Sequence, residues 1–499
     1  MGKLKSFIRR KIIDVIKFAI REEFGAQMQN LSPPPMIMHL SLKSDEIDKQ
    51  IERWTWERFK RTDKQIEKWT WERFQRTKEE FGLLEQSVDS LKQDMLECLF
   101  FQNKIPYYPG EKIRVVMLFQ IPSCWASVDS VWKALKEDSR FDVTMLLYDR
   151  ELKEPAQMKG SREFLLEKEI DFVEAESYIF SKERPHIFIY QTPWDNAHRP
   201  DFLKADAIKR QGIRVVYLPY GIPYSASVSP DFIFSIAKLR AKPWLSFELS
   251  NNMIMEHKFL SLYGADYLLA TGLPKFDSLY NREQFPLEGY ISEMVGSRRI
   301  VFWQMHFLSL NGNADYPEPH ISEYLKFAKK IREYGDLFFI VRPHPKYFDM
   351  CIEKGFADEA EEFIEVLKST ENLYIYNEPD YRPALLNSDY VIGDRSALMI
   401  EAIVLGVPVL YMTNFYYKEK MLSAVEPIFE SYYQGSESYD MERFVDLIIY
   451  RGKDYKADER KRACELCVPL FDGNCGQRIV NSMAEKIIAE VNGNGGFSC

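Results

Sequence analysis

The stretch Asn387-Ser-Asp-Tyr-Val-Ile-Gly-Asp394-Arg395-Ser396-Ala-Leu-Met-Ile-Glu401-Ala-Ile-Val-Leu-Gly406-Val-Pro408-Val-Leu-Tyr-Met412 decides the fold. Ser388 to Asp394 reads as a buried strand that ends in polar residues. Arg395 and Ser396 open a helix predicted over Ala397–Leu405, Gly406 and Pro408 stop it, and Val409-Leu410-Tyr411 begin the next strand. A strand that turns tightly into a helix leaves free backbone N–H groups and the positive end of the helix dipole at the strand's carboxyl edge, which suits a phosphate. Glu401 falls within the helix at a height from which a carboxylate can reach a ribose hydroxyl, while Asp394, Arg395, Ser396 and the helix start hold the phosphates. The stretch therefore predicts a nucleotide-diphosphate site in a doubly wound domain.

Outward from this stretch the same alternation continues. Upstream, Ile300–Gln304, Leu337–Val341 and Leu373–Tyr376 are apolar strand candidates with helical segments between them. Earlier still, Ile113–Phe119, Val143–Tyr148, His186–Gln191, Ile213–Leu218 and Tyr267–Ala270 repeat the pattern. Ile105-Pro106 and Pro109-Gly110 mark the start of this part, and Asn281–Ser297 reads as a hinge between two halves. A final helix is expected over residues 478–491, followed by a disordered Asn-Gly-rich tail.

Arg342-Pro343-His344-Pro345, together with Ser388-Asp389, Asp394-Arg395-Ser396, Glu401-Ala402 and Gly406-Val407-Pro408-Val409, resembles the C-terminal half of the CDP-glycerol glycerophosphotransferases of teichoic acid and capsule polymer synthesis. Gly272-Leu273-Pro274-Lys275-Phe276-Asp277 is similar to that family's Gly-x-Pro-Arg-x-Asp segment, with Lys275 in place of arginine. Tyr220-Gly221-Ile222-Pro223 stands where many members carry His-Gly-Thr-Pro. The resemblance runs over roughly residues 110–490. It implies a GT-B-like pair of doubly wound α/β Rossmann-like domains facing a cleft. It also implies transfer of a phospho-alditol from a CDP-activated donor to a hydroxyl of a cell-surface glycan or glycolipid, with release of CMP and no required cofactor. Lys275 joins Asp394, Arg395, Ser396 and Glu401 in the implied donor-binding set.

Such a transfer needs positive charge on the pyrophosphate and a base for the acceptor hydroxyl. Arg342 and His344 follow the carboxyl end of a predicted strand. Arg342 can give two hydrogen bonds to a phosphate, and His344 can donate to the leaving phosphate or the bridging oxygen. Their bland alternatives are a structural ion pair and a capping histidine held between prolines. His306 follows the strand Ile300–Gln304, and His198 follows another strand end in Thr192-Pro193-Trp194-Asp195-Asn196-Ala197-His198. The histidine that the family carries in its His-Gly-Thr-Pro segment is the implied base. Tyr220, whose unperturbed hydroxyl titrates near pH 10, is a poor replacement. The position is then expected to bind substrate while His306, Asp195 or His198 takes the proton. Two other readings keep their place: a GT-B glycosyltransferase using a nucleotide sugar, and a non-catalytic scaffold. The strand–helix turn is also similar to that of UDP-N-acetylglucosamine 2-epimerases, but Asp394-Arg395-Ser396-Ala397 lacks their two glycines.

With 499 residues there is room for two core-bearing domains and an extension. Hydrophobic residues make up 46% and charged ones 28%, a globular balance, and the net charge of −9 argues against a general nucleic-acid binder. No apolar run reaches transmembrane length and no signal-peptide core is visible. The seven cysteines are odd in number and scattered. Cys464, Cys467 and Cys475 offer three metal ligands without a suitably spaced fourth, so reduced thiols are the expected state and no metal is required.

Five segments are expected: residues 1–31, 32–104, 105–285, 286–491 and 492–499. In the first, Leu4, Ile8, Ile12, Val15, Ile16, Ala19 and Ile20 form an apolar stripe beside Lys3, Lys5, Arg9, Arg10, Lys11, Lys17 and Arg21. A basic amphipathic helix of this kind suits an anionic membrane surface, here the inner face of the plasma membrane, although it can also pack on the protein itself. After Ser32-Pro33-Pro34-Pro35, the segment Asp48–Thr62 recurs as Asp63–Thr77 with two changes, Arg53 to Lys68 and Lys60 to Gln75. A period of about 3.75 residues per turn predicts a right-handed seam through Ile51, Phe59, Ile66 and Phe74. Heptad spacing follows through Phe81, Leu84, Val88, Leu91, Met95 and Cys98. This predicts a long coiled coil through which the chain self-associates, or else a helix folded back on the catalytic body.

Overall fold

A strand covered by helices on both faces must be apolar on both, so parallel strands arise from continuous apolar runs. The computed structural model describes residues 89–149, 160–225, 239–260, 264–308, 318–415 and 420–492, apart from the side chains of residues 197, 198, 259 and 260. The predicted basic helix at residues 1–31, the linker and repeat through residue 88, and the tail from residue 493 lie outside the described residues.

The first sheet contains β1 (Ile113–Phe119), β2 (Phe141–Leu147), β3 (Phe172–Glu174), β4 (Ile187–Tyr190), β5 (Arg214–Tyr217), β6 (Leu245–Glu248) and β7 (Leu268–Ala270), ordered β3-β2-β1-β4-β5-β6-β7. The second contains β8 (Arg299–Met305), β9 (Leu337–Pro343), β10 (Leu373–Ile375), β11 (Tyr390–Gly393), β12 (Val409–Met412) and β13 (Tyr433–Gly435), ordered β10-β9-β8-β11-β12-β13. All pairings are parallel. Each sheet winds outward from its first strand, then returns and winds the other way. The direction reverses between β1 and β4 in one sheet and between β8 and β11 in the other. In open sheets of this kind, ligands bind in the crevice at the carboxyl side of that reversal.

Alternation along β8 separates two cores. Val301, Trp303 and Met305 pack into a core with Tyr324, Phe327 and Phe363. Ile300 and Phe302 face the other way, into a core that also takes in Ile222, Leu249 and Met253 from the first half of the chain.

The helices that position the site are α1 (residues 89–103), α2 (Asp129–Glu137), α3 (Lys275–Tyr280), α4 (Leu398–Glu401) and α5 (Cys475–Val491). The single helix predicted over Ala397–Leu405 is α4 followed by a 3-10 turn, Ala402–Leu405. The end of the predicted coil, α1, is helical but docks by a face other than the predicted seam. Leu96 and Phe100 are buried on the first domain, Glu97 pairs with Lys209, and Gln93 bonds the backbone of Arg240 and Lys242. Leu91, Met95 and Cys98 of the seam are exposed.

α5 departs from the expected division at residue 286. Ile479, Val480, Met483, Ala484 and Ile487 form one stripe at helical spacing, and all are fully buried against Ile113, Met117, Met145 and Ile189 of the first sheet. Its far end is tied to the same domain: Glu490 accepts from Trp244 Nε1 at 2.8 Å and pairs with Arg214 at 2.6 Å. Its start is capped by Asp277, whose two carboxylate oxygens accept the N–H groups of Cys475 and Gly476, each at 2.7 Å. Gly272 permits this approach: its φ is +71°, and a Cβ there would lie 2.6 Å from Cys475 Sγ.

Candidate active site

β8 and β9 run in register so that Gln304 lies beside Arg342 and Met305 beside Pro343. The chain therefore delivers His306 and His344 side by side as it leaves the two strands. Their ring centroids are 5.4 Å apart, with Phe307 packed on both. The backbone N–H of His344 donates to Met305 O at 2.8 Å, which fixes the spacing of the two loops.

The hydrogen bonds assign each ring a tautomer. His306 Nδ1 is 3.0 Å from Phe307 O, and a carbonyl only accepts, so Nδ1 carries the proton and Nε2 keeps its lone pair. The carboxylate of the fully buried Glu318 stands 3.6 Å from the same Nδ1 and reinforces that choice. His344 is the reverse. Its Nδ1 accepts from the Lys346 N–H at 3.1 Å, so the proton of the neutral ring sits on Nε2. Burial, and then the neighbouring His306, Lys346 and Arg342, push the His344 pKa down to about 3. The two rings thus form a proton acceptor beside a neutral proton donor.

Arg342 is half-buried at the end of β9. It donates to Glu378 O at 2.6 Å and lies 5.7 Å from the Tyr376 ring centroid. Among the described residues it makes no ion pair with a carboxylate. Every deeply buried arginine does: Arg199 with Asp195, Arg214 with Glu490, Arg382 with Asp380 and Asp129, and Arg460 with Asp454. Burial holds the Arg342 pKa below the ordinary guanidinium value, as expected for a cation without a matching anion.

Several expected ligand contacts turn out otherwise. Asp394 is fully buried behind the histidine loop, where Oδ1 accepts the His306 N–H at 2.7 Å and Oδ2 accepts the Tyr324 hydroxyl at 2.8 Å. Burial and the nearby Glu318 raise its pKa well above the carboxylate range. Its work is to hold His306, not to meet a phosphate. Glu401 is fully buried too. Oε1 accepts from Lys275 Nζ at 2.6 Å and Oε2 from the Tyr381 hydroxyl, so neither oxygen is left for a ribose. Lys275 is 4% exposed and spent in the same contact. The Gly272–Asp277 segment is thereby a clasp, joining α3 to α4 through Lys275 and to α5 through Asp277. Ser396 Oγ accepts the Leu398 N–H at 3.2 Å, in the turn that leads into α4. Arg395 reaches Glu318 at 3.7 Å, next to His306.

The first domain contributes less than expected. Asp195 is fully buried, with Oδ1 on Arg199 at 2.7 Å and Oδ2 accepting the Ala205 N–H at 3.1 Å, which removes it as a base. Burial raises its pKa to about 6, against the pull of Arg199. Tyr220 is half-buried and packs on Ile121 and Cys124. The His198 side chain lies outside the described residues. Among the described residues no group of three or more His, Cys, Asp or Glu side chains gathers as a metal site, Cys464, Cys467 and Cys475 included.

Glu318 and Gln304 were not singled out from sequence. Gln304 carries a visible signal, a polar residue inside the apolar run of β8. Glu318 is marked only by the prolines on either side of it.

The model of the CDP-glycerol:poly(glycerophosphate) glycerophosphotransferase family matches residues 235–485, about half of the chain, from before α3 into α5. The chain belongs to this family. No curated protein matches it by sequence. Among solved structures, the S. aureus MnaA–UDP co-structure is 13% identical with a TM-score of 0.52, over 76% of this chain and 97% of that one. A UDP-N-acetylglucosamine 2-epimerase is 14% identical with a TM-score of 0.51, over 78% and 99%. The wall teichoic acid polymerase TagF is 13% identical with a TM-score of 0.50, over 82% and 99%. At these identities the likeness establishes the fold, a GT-B-like pair of doubly wound sheets. The glycerophosphotransferase family supplies the class of reaction. Among the described residues no helix is long and apolar enough to cross a membrane.

Proposed function

We propose that this glycerophosphotransferase-family chain transfers a phospho-alditol from a CDP-activated donor to a hydroxyl of a membrane-linked glycan and releases CMP. The observation that carries the reading is Arg342: a half-buried guanidinium without a carboxylate partner among the described residues, at the carboxyl edge of β9 beside two histidines. A diphosphate is the dianionic, bidentate partner such a group accepts best. In the proposed step the acceptor hydroxyl loses its proton to His306 Nε2 while its oxygen attacks the alditol-bearing phosphorus. The bond from that phosphorus to the bridging oxygen breaks. The bridging oxygen leaves with CMP, stabilised by the Nε2–H of His344 and by Arg342. Glu318 steadies the imidazolium that forms on His306.

The test is a donor screen with the full-length protein, reading nucleotide release from CDP-glycerol, CDP-ribitol, and UDP- and GDP-sugars. CMP release from a CDP-alditol supports the reading. UDP or GDP release from a sugar donor makes the protein a glycosyltransferase instead, and nucleotide binding without turnover makes it a scaffold. We further propose that residues 1–31 hold the enzyme on the cytoplasmic face of an anionic membrane and that residues 32–104 self-associate. Equal liposome binding with and without residues 1–30 overturns the first, and a monomer by light scattering overturns the second.

A further inference from the structure

The Gln304 side chain is 4% exposed and, among the described residues, makes no hydrogen bond; its Oε1 is buried without a partner. Leaving a buried carbonyl oxygen unpaired is costly, and native proteins seldom do so without a reason. Trp303 Nε1 and Tyr347 Oη also lack partners, but both residues lie inside the closed core on the far face of the second sheet. Gln304 differs in place. It follows Ile300 and Phe302 on the opposite face, the one shared with the first half of the chain. It stands one residue from the end of β8, in register with Gly393 of β11 on one side and Arg342 of β9 on the other. That is the reversal point of the second sheet, where the crevice opens. Gly393 makes room for the Met399 side chain beside Gln304: a Cβ there would lie 2.4 Å from Met399 Cε and 3.6 Å from Gln304 Oε1.

From this placement we infer that Gln304 is a donor-recognition residue whose Oε1 accepts a hydrogen bond from a hydroxyl of the bound CDP-alditol. The chemistry of the orphaned atom sets the class of group. A phosphodiester carries no proton at neutral pH and cannot serve a carbonyl oxygen, whereas Arg342 next door is suited to the phosphates. The partner is then a hydroxyl attached near those phosphates, on the alditol or on the ribose. This inference rests on the proposed CDP-alditol reaction.

Calorimetric titration of the full-length protein and its Gln304→Met variant with CDP-glycerol and with CDP tests it. Methionine keeps the length and removes the acceptor. Wild-type protein that binds neither ligand defeats the proposed reaction and this inference with it. Given wild-type binding, Gln304→Met should weaken CDP-glycerol about tenfold, the scale of one lost hydrogen bond to a buried acceptor. A loss confined to CDP-glycerol places the contact on the alditol, and an equal loss with CDP places it on the ribose. The variant should melt at the same temperature as the wild type or a few degrees higher, because an unpaired buried oxygen has been removed. Unchanged affinity for both ligands overturns the inference. So does a variant that fails to fold, since an amide that bonds nothing among the described residues is then a structural support and not a ligand contact.

Discussion

The two sheets reverse direction in the same way, yet their crevice edges are built differently. At the first reversal, between β1 and β4, polar groups close on one another. Arg199 donates to Gln120 Oε1 at 3.2 Å, to Asp195 at 2.7 Å and to Thr192, and Gln191 Oε1 accepts the N–H groups of Gln120 and Ile121 at 3.4 Å, although Gln191 Nε2 is left without a partner among the described residues. At the second, between β8 and β11, Arg342 has no carboxylate, Gln304 bonds nothing among the described residues, and the histidines present one lone pair and one N–H. Similar residue types thus serve two ends. The difference lies in the charge: a guanidinium paired with a buried carboxylate stiffens an edge, whereas one left without a carboxylate beside two histidines is suited to an anionic ligand.

Single substitutions at the two edges should therefore fail in opposite ways. Arg342→Ala, His306→Ala and His344→Ala should each lower turnover by at least about a hundredfold, the usual scale for a charge-stabilising or proton-transfer group, with thermal unfolding little changed. Arg199→Ala leaves the Asp195 carboxylate buried and unpaired, and should cost about 3–5 kcal/mol of stability while turnover per folded molecule stays within a few-fold. Paired melting curves and kinetics check both. If Arg199→Ala is stable but inactive, the first edge is catalytic and the contrast fails.

A smaller effect separates clasp from ligand site. Lys275→Met strands Glu401 in the core and should destabilise by about 3 kcal/mol. Glu401→Gln keeps the shape, loses the charge, and should cost roughly 1–3 kcal/mol, with CDP affinity intact in the folded fraction. A well-folded Glu401→Gln protein that no longer binds CDP by calorimetry would restore the ribose role.

A further effect is on the pH dependence of stability. The His344 pKa is depressed to about 3 in the folded protein. The unfolded chain takes up that proton near the ordinary histidine value of about 6.5. Between those values the unfolded state binds more protons, so stability rises with pH and falls on acidification through that window. Denaturant midpoints measured from pH 7 to pH 4 should drop more steeply for the wild type than for His344→Gln. Parallel curves would mean that His344 is not held neutral.

Much of this was legible in sequence because the central strands are buried on both faces. Ile300–Gln304 and Leu337–Val341 were placed within two residues of β8 and β9, and so were the strand ends that carry His306, Arg342 and His344. All four edge strands are three residues long; β7 and β10 keep a short apolar run, whereas β3 (Phe172–Glu174) and β13 (Tyr433–Gly435) are only partly buried and carry polar residues that hide them. β6 escaped because Ser246 and Glu248 interrupt its apolar run although both are buried. The roles of Glu401 and Asp394 misled for a different reason. A carboxylate beside a phosphate-binding turn looks available until its long-range partners, Lys275, Tyr381 and Tyr324, are in place. Local spacing contains nothing about those partners.

The packing of α5 also bears on how the chain matures on the ribosome. β7 ends at Ala270, while the stripe of Ile479, Val480, Met483 and Ile487 that seals the first core is translated roughly 200 residues later. At the usual pace of synthesis that is a wait of about 10–40 s. Through that interval the first sheet carries an uncovered apolar groove, so the first half cannot complete its folding as it emerges. A nascent chain stalled before Cys475 should recruit holdase chaperones, and release of the last helix is the event that lets both halves mature together.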